Sequence, residues 1–366
     1  MNRQRLQRLA VTSASSVLAV VVALAICAVL LLITGKDPVE AYRTLFGAAS
    51  DTAVLQDSLN RATPLFISAA AVAIGFKMNL FNIGVEGQMR VALLTTAVVG
   101  GLVELPAPLH ILFCLLVAMA AGALWAGLAG WLKVKRGVNE VISTIMLNFV
   151  ALALVGWAFE AFFRKKEQTE ALLVKTKDLP TSAWFPDIID RRLNGMLIVA
   201  LLVLVAFWVL VWKTKFGFRL RASGGNPGAA RVTGVDPKRM ITISMLLSGA
   251  VAGLVGMRAL MGDVHAYQNG LADQQGFNGI AVALLGRNHP VGIFFSGLLF
   301  GFLSAASGQL QLVDIPKEIV TIMQGIIVLA VVIINGAVKR IDDRRIQRRA
   351  AAELAASEQP QMAVAG

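Results

Sequence analysis

The chain has 366 residues, of which 57% are hydrophobic and 15% are charged, and its formal net charge is +12. Soluble globular domains carry about 25% charged residues, so the composition indicates a polytopic membrane protein. The basic residues stand in blocks between apolar runs, which is typical of topology signals and argues against nucleic acid as a partner. Cys27 and Cys114 lie inside apolar runs, and the histidines at 110, 265 and 289 are scattered, so we expect neither a disulfide nor a metal site.

Ten apolar segments predict membrane spans. A span needs roughly 20 apolar residues, or fewer where a helix is broken or re-entrant. The first run is longer than the core of a signal peptide, so we interpret it as an uncleaved span. The eighth run is too short to cross a bilayer alone. The ten segments are about 9–34, 59–76, 80–100, 109–132, 140–163, 195–212, 240–260, 277–286, 291–308 and 318–338.

These segments predict an all-α integral membrane protein with about ten transmembrane helices, some broken or re-entrant. Residues 1–349 are expected to form a single transmembrane domain, and the small, polar tail 350–366 is predicted to be disordered in the cytoplasm. With the N-terminus inside, the inner segments carry 21 Lys and Arg residues and the outer segments carry 11. The positive-inside rule therefore predicts that both termini are cytoplasmic.

Residues 75–88 interrupt two apolar runs with polar side chains and three glycines. Polar groups at membrane depth are costly and tend to face a cavity or the bundle interior, and glycines allow the backbone to break. One interpretation is a broken helix that lines a transport pathway. The alternative is an ordinary cytoplasmic turn, with Asn79 or Asn82 as the N-cap of the next span and Glu86 paired with Arg90. The polar residues of interest are Asn79, Asn82, Glu86 and Gln88.

Two further segments place polar side chains at membrane depth. In residues 137–148, Asn139 can cap a helix, and Asn148 then lies two turns inside the membrane, where it needs another helix or a solute as its partner. In the glycine-rich segment 276–289, Asn278 either lines a pathway or serves as an N-cap. Both interpretations stay open from the residues alone.

The basic loop 213–239 contains the residues that typically begin and end a short helix. Asn226 is placed as the N-cap, Pro227 at the first helical position, and Gly234 just after the last turn. A capped helix in a basic loop between spans favours docking to a partner on the cytoplasmic side. The alternative is a loop that only sets the topology.

Four segments together resemble one transporter family. The run F-N-I-G-V-E-G-Q-M at residues 81–89 is similar to the signature of permeases of bacterial nucleoside ABC importers, a branch of the sugar and branched-chain amino acid permease group. Residues 137–148, 224–239 and 276–286 agree in order and spacing. In the loop, Ala229, Ala230 and Gly234 match the spacing of a helix that couples to an ATPase subunit, although Gly228 stands where the family has Glu.

The resemblance implies half of the membrane channel of an ABC importer in a bacterial plasma membrane. This chain would do no chemistry and bind no cofactor, since the sequence has no G-x-x-x-x-G-K-[ST] phosphate loop and ATP would be used by a partner subunit. The implied partners are an ATP-binding subunit, a second permease that is a copy or a homologue, an extracellular solute-binding protein and membrane lipid. The implied substrate is a nucleoside in preference to a free sugar.

Two sets of residues are candidates for these roles. The pathway residues would offer amide and carboxylate groups to a nucleoside, with an aromatic wall. The pathway set is Asn79, Phe81, Asn82, Glu86, Gln88, Asn148 and Asn278. The ATPase-coupling set is Asn226, Pro227, Ala229, Ala230, Arg231 and Gly234.

Three rival functions follow from the same residues. An ABC permease for simple sugars would share the whole architecture. An ion-coupled secondary transporter would use an intramembrane carboxylate such as Glu86, but it has no need for a capped cytoplasmic helix. An integral-membrane enzyme would need a cluster of His, Asp or Cys near an interface, which the sequence lacks.

Overall fold

The computed structural model describes residues 20–165, 174–189, 193–334, 336–337 and 340. The chain divides into two compact units, Thr44–Leu312 and a unit of the terminal segments Met1–Arg43 and Val313–Gly366. The helices are α1 Val20–Ile33, α2 Pro38–Ala48, α3 Thr52–Lys77, α4 Val85–Gly100, α5 Ala107–Arg136, α6 Glu140–Ala158, α7 Met196–Trp208, α8 Lys215–Gly225, α9 Pro227–Val232, α10 Pro237–Gly253, α11 Gln275–Leu285, α12 Pro290–Gln311 and α13 Lys317–Ile334.

The predicted fold class is confirmed, because the described chain is mostly helical. Each of the ten predicted spans overlaps one of these helices. Within the described residues, six helices are long and apolar enough to cross a membrane when α6 and α7 are counted with the π-helical segments that continue them: Thr52–Lys77, Ala107–Arg136, Glu140–Phe163, Met196–Lys213, Pro290–Gln311 and Lys317–Ile334. The start of the first predicted span and the tail 350–366 lie outside the described residues.

Helix α3 is the centre of the larger unit. Asp51 caps it by accepting a hydrogen bond from the Ala53 N–H (2.8 Å). From Ala62 to Gly75 every residue is buried, because α7, α10, α11 and α12 all pack around it. A helix of 26 residues is about 39 Å long, enough to cross a bilayer. Its two ends, at Thr52 and at Lys77, serve below as reference points for depth.

Small residues bring the helices into close contact, as is common in membranes where burial of apolar surface in lipid supplies little driving force. A Cβ atom at Gly122 of α5 would lie 2.2 Å from the Gly249 carbonyl oxygen of α10. In the other direction, a Cβ atom at Gly253 of α10 would lie 2.0 Å from the Ala118 carbonyl oxygen of α5. On α11, a Cβ at Gly279 would lie 1.8 Å from the Ser68 hydroxyl of α3. Side chains at these positions would separate the helices.

The connection between α3 and α4 re-enters the fold, which corrects the predicted span 80–100. Residues 78–84 are not helical, and they double back along the last turns of α3: the Leu80 N–H bonds to the Gly75 carbonyl (3.0 Å), and Asn82 packs against Gly75. Helix α4 therefore begins only at Val85 and has 16 residues. The glycines and polar residues predicted an interruption here, but they did not predict that the chain folds back along α3.

Two other predicted segments are interrupted. The span 240–260 is α10 up to Gly253, followed by a turn and by a π-helical segment Ala259–Val264. The basic loop contains two helices, α8 and α9, and only α9 was predicted.

Short strands occur in the long loop before α7. Strand β1, Asp187–Ile189, pairs in antiparallel fashion with β2, Leu193–Asn194. An isolated bridge joins Lys175 to Gln268. The loop 174–189 is thereby tied to the segment that follows α10.

Candidate functional site

Helix α4 begins inside the fold, and Asn148 of α6 satisfies the backbone there. Its side-chain oxygen accepts a hydrogen bond from the Gly87 N–H, and its amide donates to the Ile83 carbonyl, both at 2.9 Å. A helix start leaves N–H groups without partners in the helix, so a buried start needs such a partner. Of the two partners that the sequence left open for Asn148, the structure shows a neighbouring element of the chain.

Asn82 and Gln88 form a second buried connection at the same place. Their side-chain amides bond to each other in both directions, at 3.0 and 3.1 Å. The Asn82 oxygen also accepts from the Gly84 N–H (3.0 Å), while its amide donates to the Ser248 hydroxyl of α10 (2.8 Å). The N-cap of α4 is Gly84, so the expectation that Asn79 or Asn82 occupies that position is wrong. Asn82 instead holds the turn before it.

Glu86 joins the first turn of α4 to the first turn of α11. Its side chain is 4% exposed, and its two oxygens accept hydrogen bonds from the Gly276 N–H (2.9 Å) and the Gln274 N–H (3.1 Å). A carboxylate at a helix N-terminus is stabilised by free N–H groups and by the helix dipole. A Cβ atom at Gly276 would lie 2.5 Å from the Glu86 backbone nitrogen, so only glycine allows this approach.

Two ion pairs connect Glu86 to Asp273 through Arg90. The Arg90 guanidinium lies 3.1 Å from the Glu86 carboxylate and 2.7 Å from that of Asp273. The i,i+4 pair of Glu86 and Arg90 is the one that the sequence offered as an alternative. Glu86 and Arg90 are mostly buried, whereas the Asp273 side chain is 45% exposed.

Both short helices begin near the middle of the membrane-spanning length. The Ser68 hydroxyl of α3 donates to the Gly276 carbonyl (3.2 Å), and Ser68 is about 13 Å along the helix axis from the Lys77 end. The apolar core of a bilayer is about 30 Å thick. Helices α4 and α11 are therefore discontinuous elements whose N-termini meet at mid-depth, the arrangement that transporters use around their solutes.

Of the remaining predicted pathway residues, Asn79 and Phe81 lie near the Lys77 end, whereas Asn278 lies at the start of α11. Asn79 has a positive φ of 59° and is exposed near the Lys77 end. Phe81 is 43% exposed and packs edge-on against Phe76, with ring centroids 4.4 Å apart. Asn278 is partly exposed in the first turn of α11. The structure thus brings together Asn82, Glu86, Gln88 and Asn148. The side chain of Gln88 bonds to that of Asn82, and the other three bond to backbone groups.

Helix α9 has the predicted local structure. The Asn226 side chain accepts a hydrogen bond from the Ala229 N–H (3.0 Å), and Pro227 is the first helical residue. The Val235 N–H bonds to the Ala230 carbonyl (3.0 Å) and the Gly234 N–H to the Arg231 carbonyl (2.9 Å), with Gly234 at φ +79°. A residue with positive φ just after the last turn is a common helix C-terminus, and glycine is favoured there.

One residue of α9 differs from the expectation. Ala230 is 3% exposed and faces its own chain, so it is not available to a partner. Ala229 and Arg231 are exposed, and Val232 is 90% exposed. Helix α8 holds this segment at the Lys77 end of α3, because a Cβ at Gly224 would lie 2.6 Å from the Lys77 carbonyl oxygen. Sequence reasoning missed Val232, whose apolar side chain in a basic loop was the available signal.

The model of a family described as the branched-chain amino acid transport system permease component matches residues 54–332. The chain belongs to this family. The match covers α3 to α12 and therefore the whole mid-depth junction and α9. The permease is a non-catalytic transport subunit, and it is a multi-pass membrane protein. Membership of the ABC permeases implies an ATPase partner and a binding protein.

Individual relatives resemble the permease over most of its length. It is 35% identical to the guanosine ABC transporter permease protein NupP of Bacillus subtilis, over 86% of this chain and 91% of that protein. It is 31% identical to the nucleoside ABC transporter permease protein NupB of Lactococcus lactis, over 86% and 89% of the two chains. It is 32% identical to the glucose ABC transporter permease protein TsgB13 of Haloferax volcanii, over 86% and 85%.

Some residues of the junction were not singled out from the sequence of the permease. Ser248 bonds to Asn82 and donates to the Ala71 carbonyl of α3 (2.6 Å). Asp273 was not considered, and Arg90 was considered only as a helix pair. The signal for Asp273 was present in the sequence Q-N-G-L-A-D-Q-Q at residues 268–275, where several polar side chains directly precede the apolar run of α11.

Proposed function

We propose that the permease forms one half of the translocation pathway of an ATP-driven importer of nucleosides. The observation that carries this proposal is the 35% identity to the guanosine permease NupP over nearly the full length of both chains. The similarity to NupB points to the same substrate class. The discontinuous helices α4 and α11 support a transport role, because they bring polar groups to mid-depth.

A glucose importer is the second candidate, since the glucose permease TsgB13 is similar to this chain to almost the same degree. An ion-coupled carrier is less well supported. Such a carrier would use Glu86 as a titrating group, but the carboxylate is already engaged by two N–H groups and Arg90.

The proposed importer contains a second, homologous permease. Bacillus subtilis has two proteins named as guanosine permeases, NupP and NupQ, and this chain is 27% identical to NupQ over 79% of its own length. We place the complex in the bacterial plasma membrane, with both termini and α9 on the cytoplasmic side, as the bias of basic residues predicts. The permease would bind no cofactor, and ATP would be hydrolysed by the subunit that docks at α9.

Reconstitution tests the substrate class. The permease, its second permease and its ATPase are placed in proteoliposomes, and uptake of radiolabelled guanosine and of glucose is measured with the cognate binding protein. We expect ATP-dependent uptake of guanosine and no more glucose uptake than in liposomes without protein. Uptake of glucose alone would overturn the nucleoside proposal, and uptake driven by an ion gradient without ATP would overturn the importer class.

A further inference from the structure

The segment between Gln268 and α11 is not helical, and its inner end, next to Glu86, lies at membrane depth. It starts at the bridge to Lys175 and ends where the Gln274 N–H bonds to Glu86. Its residues lie in turns, and Asn269, Gly270, Asp273 and Gln274 are exposed. Non-helical backbone within the bilayer is tolerated only where it is buried in protein or lines a water-filled cavity. Since Asp273 and Gln274 at the inner end of the segment are exposed, that end lines such a cavity.

Asp273 lies at the inner end of this segment, near the centre of the membrane-spanning length. It pairs with Arg90, which is one helical turn beyond Glu86 on α4, or about 6 Å farther from the Lys77 end. A carboxylate that is 45% exposed at this depth cannot face lipid without a large cost in free energy. The exposed side of the ion pair therefore faces the solute pathway.

An aromatic ring accompanies the ion pair. Phe277 lies in the first turn of α11 and is 43% exposed, next to the same segment. Aromatic rings stack on nucleic acid bases in a way that tolerates differences among them. The start of α11 thus places an exposed aromatic side chain four residues after Asp273, which pairs with Arg90.

We propose that Asp273, Arg90 and Phe277 form the solute-recognition site of this permease, a proposal that rests on nucleosides being the imported class. The Asp273 carboxylate accepts hydrogen bonds from the paired hydroxyls of the ribose, and the Phe277 ring stacks on the base. Arg90 positions Asp273. Because the acidic member of this ion pair is the more exposed one, the site accepts a neutral nucleoside and disfavours its phosphorylated form.

Uptake by the reconstituted complex tests this site, with guanosine supplied on saturating binding protein. Asp273→Asn should slow guanosine uptake about tenfold, which corresponds to the loss of ~1.4 kcal/mol. Phe277→Leu should also slow it, while Phe277→Tyr should stay close to wild type. The matched control is Asp57→Asn on α3, because Asp57 has the same 2.7 Å pairing with an arginine and is 43% exposed. Asp57→Asn should transport at the wild-type rate.

A second substrate separates recognition from structural damage. The wild type should transport 2′,3′-dideoxyguanosine more slowly than guanosine, and Asp273→Asn should transport both at similar rates. Asp273→Glu should restore the preference. If Asp273→Asn does not co-purify with its partner subunits, guanosine uptake by Phe277→Leu is used to test the site instead.

The experiment distinguishes a failure of the proposed site from a failure of the proposed function. If the wild type imports guanosine and Asp273→Asn or Phe277→Leu does so at the wild-type rate, this site is wrong and the proposed function stands. If the wild type imports no guanosine, the proposed function itself is wrong.

Discussion

Glu86 is buried in the middle of the larger unit, where its carboxylate accepts two N–H groups of α11 and pairs with Arg90. A buried charge is stable only when it is paired and hydrogen-bonded. The sequence placed Glu86 in a pathway, and that role stays a prediction. Its contacts show in addition that it holds the start of α11 against α4.

Glu86→Gln should therefore lower both stability and uptake. The substitution removes the negative charge that faces Arg90 and the N-terminus of α11, at a cost of about 3 kcal/mol for a broken buried pair. Association with the ATPase should remain, because α9 lies at the Lys77 end and away from this junction. Thermal unfolding of the purified complex and guanosine uptake measure the two effects.

The control for this change is Glu160→Gln. Glu160 pairs with Arg164 in the same i,i+4 spacing, but both side chains are about half exposed, and exposed pairs contribute at most about 1 kcal/mol. Equal unfolding behaviour of the two variants would show that the Glu86 carboxylate is not needed to seat α11. Loss of ATPase association in Glu86→Gln alone would show a wider structural role.

Helix α9 has its own caps at both ends, and its six residues present one small apolar surface outward. Ala230 packs on its own chain, so Val232 is the apolar side chain that a docking partner would cover. Val232 is 90% exposed and stands next to the exposed Arg231 on this helix.

Val232→Glu should weaken co-purification of the permease with its ATPase about tenfold or more, because it places an uncompensated charge in a packed contact. Folding should be unaffected, since the side chain makes little contact with its own chain. Leu102→Glu is the control. Leu102 is also highly exposed, at 80%, but it follows the C-terminus of α4 and not the Lys77 end where α9 lies. Unchanged ATPase association in Val232→Glu would leave α8 and α9 as a topological anchor only.

At the scale of the whole molecule, the loops on either side of α7 lie at opposite ends of α3. Near residue 180, the Leu179 N–H bonds to the His265 carbonyl (2.7 Å), and Leu179 packs near Gly100 at the end of α4. Gly224, before α9, packs on Lys77. These contacts place the two loops at opposite ends of the helices.

Reporter fusions after residues 180 and 228 should accordingly report opposite sides of the membrane. We expect a phosphatase reporter to be active at 180 and a fluorescent reporter to be active at 228, because the basic residues favour the cytoplasm for the second loop. A fusion after residue 102 should agree with the one after 180. Reports from the same side at 180 and 228 would contradict both the fold and the topology.

Local chemistry along the chain was enough to predict much of this protein. The spans follow from runs of apolar residues, since each helix must satisfy its own backbone in lipid. The caps of α9 follow from Asn226, Pro227 and Gly234, because a cap involves only residues within one or two turns. The break between α3 and α4 was also visible, as glycines and polar residues in an otherwise apolar stretch.

The tertiary structure alone decided what these elements contact. Glu86 bonds to Gly276, which is 190 residues away, and Asn148 bonds to the start of α4. Such partners depend on which helices are neighbours in three dimensions, and no local pattern specifies this. The same is true of exposure: Ala230 and Val232 belong to one short helix, yet one is buried and the other is open. Asp273 acquires its place at mid-depth only because α11 begins against Glu86.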